Sequence, residues 1–192
     1  MQFDIRILSS SVRDGRNSHR VALYLQDRIR AMGRDRASIL DLKALDLPVF
    51  HERLRFMQDP PDIARTVSRS IAEADGVIIV TPEYNGGYPA SLKNFIDLLY
   101  DEWHRKPVSI VTVSDGAFGG TQVITSLQFS LWKMRAWTVP AMMPVPHVQD
   151  AFDEAGVPTD GGTWNARSDR LLTELTWCMT ARRSMDRQEA AK

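Results

Sequence analysis

Four consecutive β-branched residues, Val77-Ile78-Ile79-Val80, run directly into Thr81-Pro82-Glu83-Tyr84-Asn85-Gly86-Gly87-Tyr88-Pro89. No other junction in the chain constrains the fold as tightly. The apolar run reads as a strand buried on both faces. Behind the turn, Leu92, Phe95, Ile96, Leu99 and Tyr100 recur at the spacing of one helical face. The nine residues between are therefore a strand-to-helix turn at the carboxyl end of a strand, the edge where open α/β sheets bind ligands. Two prolines fix φ, and two adjacent glycines let the backbone come close to something flat. An ordinary connection also carries Gly and Pro, but this one is longer and more aromatic than a connector needs.

The rest of the chain repeats the pattern. Residues 3–8 make a first strand, and residues 9–18 form a polar loop containing Ser11, Arg13 and Ser18. Val21, Leu25, Ile29 and Met32 then mark a first helix, with Gly33 as its C-cap. A helix N-terminus flanked by hydroxyls and a guanidinium is suited to a phosphate. Asn17 or Ser18 alone could equally be an N-cap. The loop has neither a Gly-x-Gly-x-x-Gly nor a Gly-Lys-Ser/Thr pattern, which speaks against a Rossmann dinucleotide site or an NTPase.

A second strand is expected over 37–42, and residues 43–58 read as an extended loop and insertion. Pro60-Pro61-Asp62 then opens a helix with Ile63, Val67, Ile71 and Ala74 on its buried stripe. A fourth strand over 107–113 enters Ser114-Asp115-Gly116-Ala117-Phe118-Gly119-Gly120, a second glycine-rich turn. Val123, Leu127, Leu131 and Met134 mark the next helix, and residues 137–139 a short fifth strand. Residues 141–162 read as irregular, with Met142 and Met143 as core filling, and a final helix spans 164 to about 185. The two glycine-rich turns either line opposite sides of one flat ligand or are tight turns without one.

Strands alternating with helices argue for an α/β three-layer sandwich, a five-stranded parallel sheet covered on both faces. The natural order is 2-1-3-4-5, with a ligand at the switch point between the first and third strands. At 192 residues the chain fits a single domain over 1–192. Lys plus Arg equals Asp plus Glu, 24 each, so no global field attracts nucleic acid or an anionic membrane. No apolar stretch is long enough to cross a bilayer, and no signal peptide is read. The lone Cys178, on an apolar helical stripe, reads as an inert buried thiol in a reducing compartment, and the expected location is cytoplasmic. Four scattered histidines have no metal-ligand spacing, and no catalytic triad is visible, so no catalytic or metal residue is assigned.

Thr81-Pro82-Glu83-Tyr84-Asn85-Gly86 followed by Leu92-Lys93-Asn94 resembles the NADPH-dependent FMN reductase family, whose members include quinone, azo-dye and chromate reductases of flavodoxin-like fold. The resemblance runs from about residue 3 to 185. It implies that Ser11, Arg13 and Ser18 grip the phosphate of FMN, with Ser10 standing where glycine is usual. It implies that backbone N–H groups from Glu83 to Gly87, with Asn85 and Gly86, face the flavin ring, that Pro82 and Tyr84 touch the ring edge, and that Ser114, Gly116 and Gly119 approach its pyrimidine end. The implied activity is hydride transfer from NADPH or NADH through bound FMN to a small-molecule electron acceptor such as a quinone or azo compound. A homodimer or homotetramer is implied too, with Tyr88, Trp103 and the 92–100 helix either at the subunit contact or packed internally. A flavodoxin-like electron carrier and a non-catalytic flavin-binding domain are the other functions such a fold could serve. The expected phosphate loop and strong acidity of a flavodoxin are missing.

Overall fold

The computed structural model describes residues 2–191. Five parallel strands, β1 (Asp4–Ser9), β2 (Arg36–Asp41), β3 (Gly76–Pro82), β4 (Pro107–Val113) and β5 (Trp137–Val145), form one sheet of order β2-β1-β3-β4-β5. The helices are α1 (Ser18–Met32), the short α2 (Leu42–Leu45), α3 (Asp62–Glu73), α4 (Ala90–Leu98), α5 (Val123–Lys133), the short α6 (Val148–Ala151) and α7 (Gly161–Ala190). Two single 3₁₀ turns, Leu54–Phe56 and Asp101–Trp103, complete the elements. This order is the flavodoxin-like one.

The reading of β3 as a strand buried on both faces holds. Ile78 and Val80 enter the core shared with α1 and α7, while Val77 and Ile79 enter the core shared with α3, α4 and α5. Each fully buried Val or Ile contributes about 1.5–3 kcal/mol, so this strand anchors both layers. The register pairs Ser9 with Val80 and Pro82 with Val113. Ser10 N donates to Val80 O at 3.1 Å and Ser114 N to Val145 O at 3.0 Å. The loops leaving β1, β3 and β4 therefore start level, side by side on one edge.

Several details differ from expectation: β2 starts and ends one residue earlier than read, and Leu42–Leu45, at the start of the stretch read as loop and insertion, and Leu54–Phe56, within it, are helical turns. β5 runs six residues past 139, through Pro140 and Pro144, because it is an edge strand bonded on one side, where proline costs no ladder bond. It takes Met143 into the core and leaves Met142 about half exposed. The last helix begins at Gly161, where Asp160 accepts from Thr163 N at 3.0 Å, and it continues to Ala190. In α3 the deeply buried positions are Ala64, Val67 and Ile71, with Ile63 only half-buried.

Trp103 is packed internally. It is fully buried, edge-on to Phe95 at 6.2 Å. Cys178 is buried on α7, and burial, then the Glu174 charge, pushes its thiol pKa up. The 46–58 strap is tied down at two places. Asn94 accepts from Phe50 N at 2.6 Å and donates to Pro48 O at 2.9 Å. Arg53 and Arg55 lie over the Tyr100 ring at 4.8 and 4.5 Å.

Candidate functional site

The β1–α1 loop, the β3–α4 loop and the start of the β4–α5 loop enclose a cleft of about 290 Å³. Of the residues singled out in the sequence, Ser11, Arg13, Ser18, Pro82, Glu83, Tyr84 and Ser114 line it. Asn17, Asp115 and Gln149 line it as well. Asn17 Nδ2 reaches Asp115 Oδ1 at 3.5 Å, tying the first loop to the third. Gln149 comes from α6, whose four residues are too few to show a period in sequence.

The first loop is held open by its own ion pair. Arg16 forks onto Asp41 at the end of β2 and also donates to Ser11 O at 2.8 Å. Burial pushes the Asp41 carboxyl pKa up, but the Arg16 hydrogen bonds, the Lys43 N–H and the Arg16 charge outweigh it and hold the group below its ordinary value. Arg16 is thus spent on shaping the loop. Arg13 makes no ion pair among the described residues and is free for a ligand. Beneath the loop, Ser9 Oγ lies 3.0 Å from His19 Nδ1. Burial, then the Arg16 charge, lowers the His19 pKa, so the imidazole is neutral near pH 7.

A phosphate fits this cradle on three observations. Helix α1 has no side-chain cap and no acidic residue in its first turn, leaving its positive end for an anion. Ser18 Oγ is buried without a hydrogen-bond partner among the described residues, an expensive state unless a ligand completes it. Arg13 adds an unpaired guanidinium. Ser10, the departure from the usual glycine, has no positive φ, but its Oγ, like that of Ser18, is buried without a hydrogen-bond partner among the described residues. It is fully buried in extended continuation of β1, and its carbonyl accepts from Ser91 Oγ at 2.6 Å.

The β3–α4 loop closes as a two-residue turn. Asn85 and Gly86 have φ of 53° and 77°, Tyr84 N donates to Gly87 O at 2.8 Å, and Gly87 N returns to Tyr84 O at 3.1 Å. The Asn-Gly pair is the sequence signal for such a turn. The expectation of five ring-facing N–H groups is thereby corrected, since Tyr84 and Gly87 use theirs to close the turn. Among the described residues, those of Glu83, Asn85 and Gly86 make no turn or loop hydrogen bond. Asn85 and Gly86 themselves are exposed at the tip, outside the cleft lining.

The third loop divides in the same way. Gly116 is exposed, and its carbonyl gathers Ser114 Oγ at 3.0 Å with the N–H groups of Gly119 and His147 at 3.4 Å. Gly119 is buried, and a Cβ there would sit 3.0 Å from Pro144 Cβ and Val145 N. Gly119 is therefore a packing glycine under β5, and Ser114 alone of the three reaches the cleft.

The fold is flavodoxin-like, and its cleft, at the switch point of the sheet, is one that a phosphate fits. A family model described as NADPH-dependent FMN reductase matches residues 3–150. The chain belongs to that family, and it is an NAD(P)H-dependent flavin oxidoreductase. It is 33% identical over 137 residues to an NAD(P)H-dependent FMN reductase of Saccharomyces cerevisiae, covering 65% of this chain and 71% of that protein. It is 31% identical over 170 residues to a quinone reductase of Pseudomonas putida, covering 82% and 86%. In three dimensions it is similar to FerB, a flavoenzyme NAD(P)H:(acceptor) oxidoreductase from Paracoccus denitrificans, with a TM-score of 0.73 over 93% of this chain and 98% of that one at 24% identity. This last likeness concerns the fold.

Proposed function

We propose that the protein is a single-domain flavoenzyme whose cleft holds FMN by Ser11, Arg13, Ser18 and the α1 N-terminus, and that it passes reducing equivalents from NADPH or NADH to a quinone or azo acceptor. When held by Ser11, Arg13 and Ser18, FMN would supply the two-electron redox chemistry between a nicotinamide and the acceptor. The protein's part is to bind and orient. Arg13 and the uncapped helix end neutralise the phosphate, and the Ser18 hydroxyl completes its hydrogen bonds. Pro82 and Glu83 form the wall of the cleft, and the free N–H groups of Glu83, Asn85 and Gly86 are preorganised donors for negative charge developing nearby. Ser114 faces them across the cleft from the third loop.

The observation that carries this reading is the partnerless buried Ser18 hydroxyl beside an unpaired arginine and an uncapped helix end. The acceptor class rests on the likeness to the P. putida quinone reductase. A reductant drawn from the NAD(P)H pool supports a cytoplasmic location. With Trp103 buried, the exposed Phe129 and Trp132 of α5, at 62% and 66%, support a homodimer or homotetramer better than the residues expected from sequence.

The test is a visible absorption spectrum of the protein after loading with FMN and desalting, followed by anaerobic NADPH and then a benzoquinone. A retained flavin spectrum that bleaches with NADPH and returns with the quinone is expected. FMN that washes through, with no NADPH consumption, overturns the assignment.

A further inference from the structure

Tyr84 is expected from the resemblance to lie against the edge of the flavin ring, and its hydroxyl has a partner of its own. Its phenol crosses from the β3–α4 loop to the β1–α1 loop and meets Ser11 Oγ at 2.6 Å, the short end of the O–H···O range. Ser11 is fully buried, and the Arg13 backbone N–H also points at its Oγ, at 3.4 Å. The Arg13 guanidinium lies over the Tyr84 ring, 5.3 Å from its centroid. All three residues line the cleft.

A serine hydroxyl has one proton and two lone pairs, and a tyrosine hydroxyl one proton with acceptor capacity. Of the two protons in the Ser11–Tyr84 pair, one is used in the bond between them. Phenols are stronger donors than aliphatic alcohols, and a cation over the ring strengthens this one further. The phenol therefore donates to Ser11. With the Arg13 N–H also approaching, the lone pairs of Ser11 Oγ are taken, and its own proton is left to point into the cleft. A hydroxyl turned outward in this way, beside a guanidinium and a helix N-terminus, is an anion donor. Donating to an anion also strengthens the bond it accepts.

The motif around Tyr84 serves this geometry. The Asn85-Gly86 turn fixes both the N–H and the C=O of Tyr84 onto Gly87, so the backbone at the root of the side chain is held in one orientation.

We propose that Tyr84 is a positioning residue for the phosphate subsite, donating to Ser11 Oγ so that the Ser11 proton and the Arg13 guanidinium are both presented to the FMN phosphate. This rests on the assignment of the cleft to FMN. It joins the two loops in function, because the loop that faces the ring also sets the donor geometry of the loop that grips the phosphate.

Riboflavin carries the same ring without the phosphate, which gives the test its readout. Dissociation constants for FMN and riboflavin are measured by flavin fluorescence quenching on the flavin-stripped wild type, Tyr84→Phe, Ser11→Ala and the double variant. Tyr84→Phe keeps the ring and its contact with Arg13 and removes only the hydroxyl. It should weaken FMN about tenfold, the effect of losing one charge-assisted hydrogen bond, and leave riboflavin within about twofold. Ser11→Ala should show the same FMN-selective loss, and the double variant should bind no more weakly than Ser11→Ala, because the two hydroxyls act as one unit.

Equal weakening of FMN and riboflavin by Tyr84→Phe would mean a ring contact and would overturn the proposal. So would an unchanged FMN constant, or losses that multiply in the double variant. If Tyr84→Phe does not fold, equal loss of both flavins in Ser11→Ala overturns it. Wild type that binds neither flavin brings down the FMN assignment too, whereas wild type that binds FMN with unselective variants brings down this proposal alone.

Discussion

Replacing Gly156 by alanine should destabilise the protein by about 3 kcal/mol, although the position lies outside the cleft lining, in a loop whose neighbouring residues are exposed. Gly156 has φ of +83°, and a Cβ built there would sit 2.6 Å from Arg20 O and 2.8 Å from Tyr24 N, both backbone atoms of α1. The left-handed conformation costs an L-residue about 1–2 kcal/mol, and overpacking against atoms that cannot rotate away adds about 1–3 kcal/mol. Neither side can yield. Asp153 accepts from Ala155 N at 3.0 Å and Val157 N at 2.8 Å, fixing the loop. Phe152 before it is fully buried, with ring centroids 5.0 Å from Tyr24 and 4.9 Å from Trp164. The control is on the same helix. Gly33 has φ of +65° at the α1 C-cap with nothing within 4 Å of its would-be Cβ, so Gly33→Ala should cost only the conformational part, about 1 kcal/mol. Urea unfolding of both variants measures the difference, and in a melt Gly156→Ala should fall by about 6–12 °C. Equal losses for the two variants would refute the close-approach argument.

Two further outcomes follow from buried polar groups. Lys106 is fully buried, donating to Ala72 O and Ala74 O at the end of α3, and its pKa is lowered to about 7, by burial first and then by the Arg182 charge. The unfolded chain, with an ordinary lysine, keeps a proton that the folded one releases above pH 7, so this residue makes stability rise with pH from about 7 toward 10. Across pH 7.5–9.5, urea titrations should show wild type gaining stability relative to Lys106→Met by up to about 1.4 kcal/mol per pH unit; a constant difference would contradict this. Asn94→Ala removes the two hydrogen bonds that anchor the strap at Pro48 and Phe50, worth about 2 kcal/mol together. Proteolysis within the strap should then accelerate about thirtyfold with little change in the global urea midpoint, and an unchanged cleavage rate would mean that the arginines over Tyr100 hold the strap alone.

The order of the elements and their faces can be read from the chain alone. Val77 to Val80 must be buried on both sides, the stripes of α1, α4 and α5 each show a helical period, and Pro107 to Val113 forms the fourth strand with the ends read for it. These are local signals, set by periodicity and by the conformational limits of Gly and Pro, and they were enough to place three loops on one sheet edge. The motif itself named Ser11, Arg13, Ser18 and Tyr84. What those side chains do was decided only in three dimensions, because it depends on partners distant in the chain. Arg16, three residues from Arg13, is taken by Asp41 at the end of β2, whereas Arg13 is not. Gly119 resembled a ligand-facing glycine until β5 was found packed against it, and of the two places open to Trp103, a subunit contact or the interior, it takes the interior beside Phe95. The fifth strand and the last helix outran their patterns for a related reason. An edge strand tolerates proline, and α7 begins at a capped Gly-Gly that propensity alone would exclude. Tyr84 shows the division most clearly. Sequence fixed the turn beneath it, and only the pairing of β1 with β3 brought Ser11 within reach of its hydroxyl.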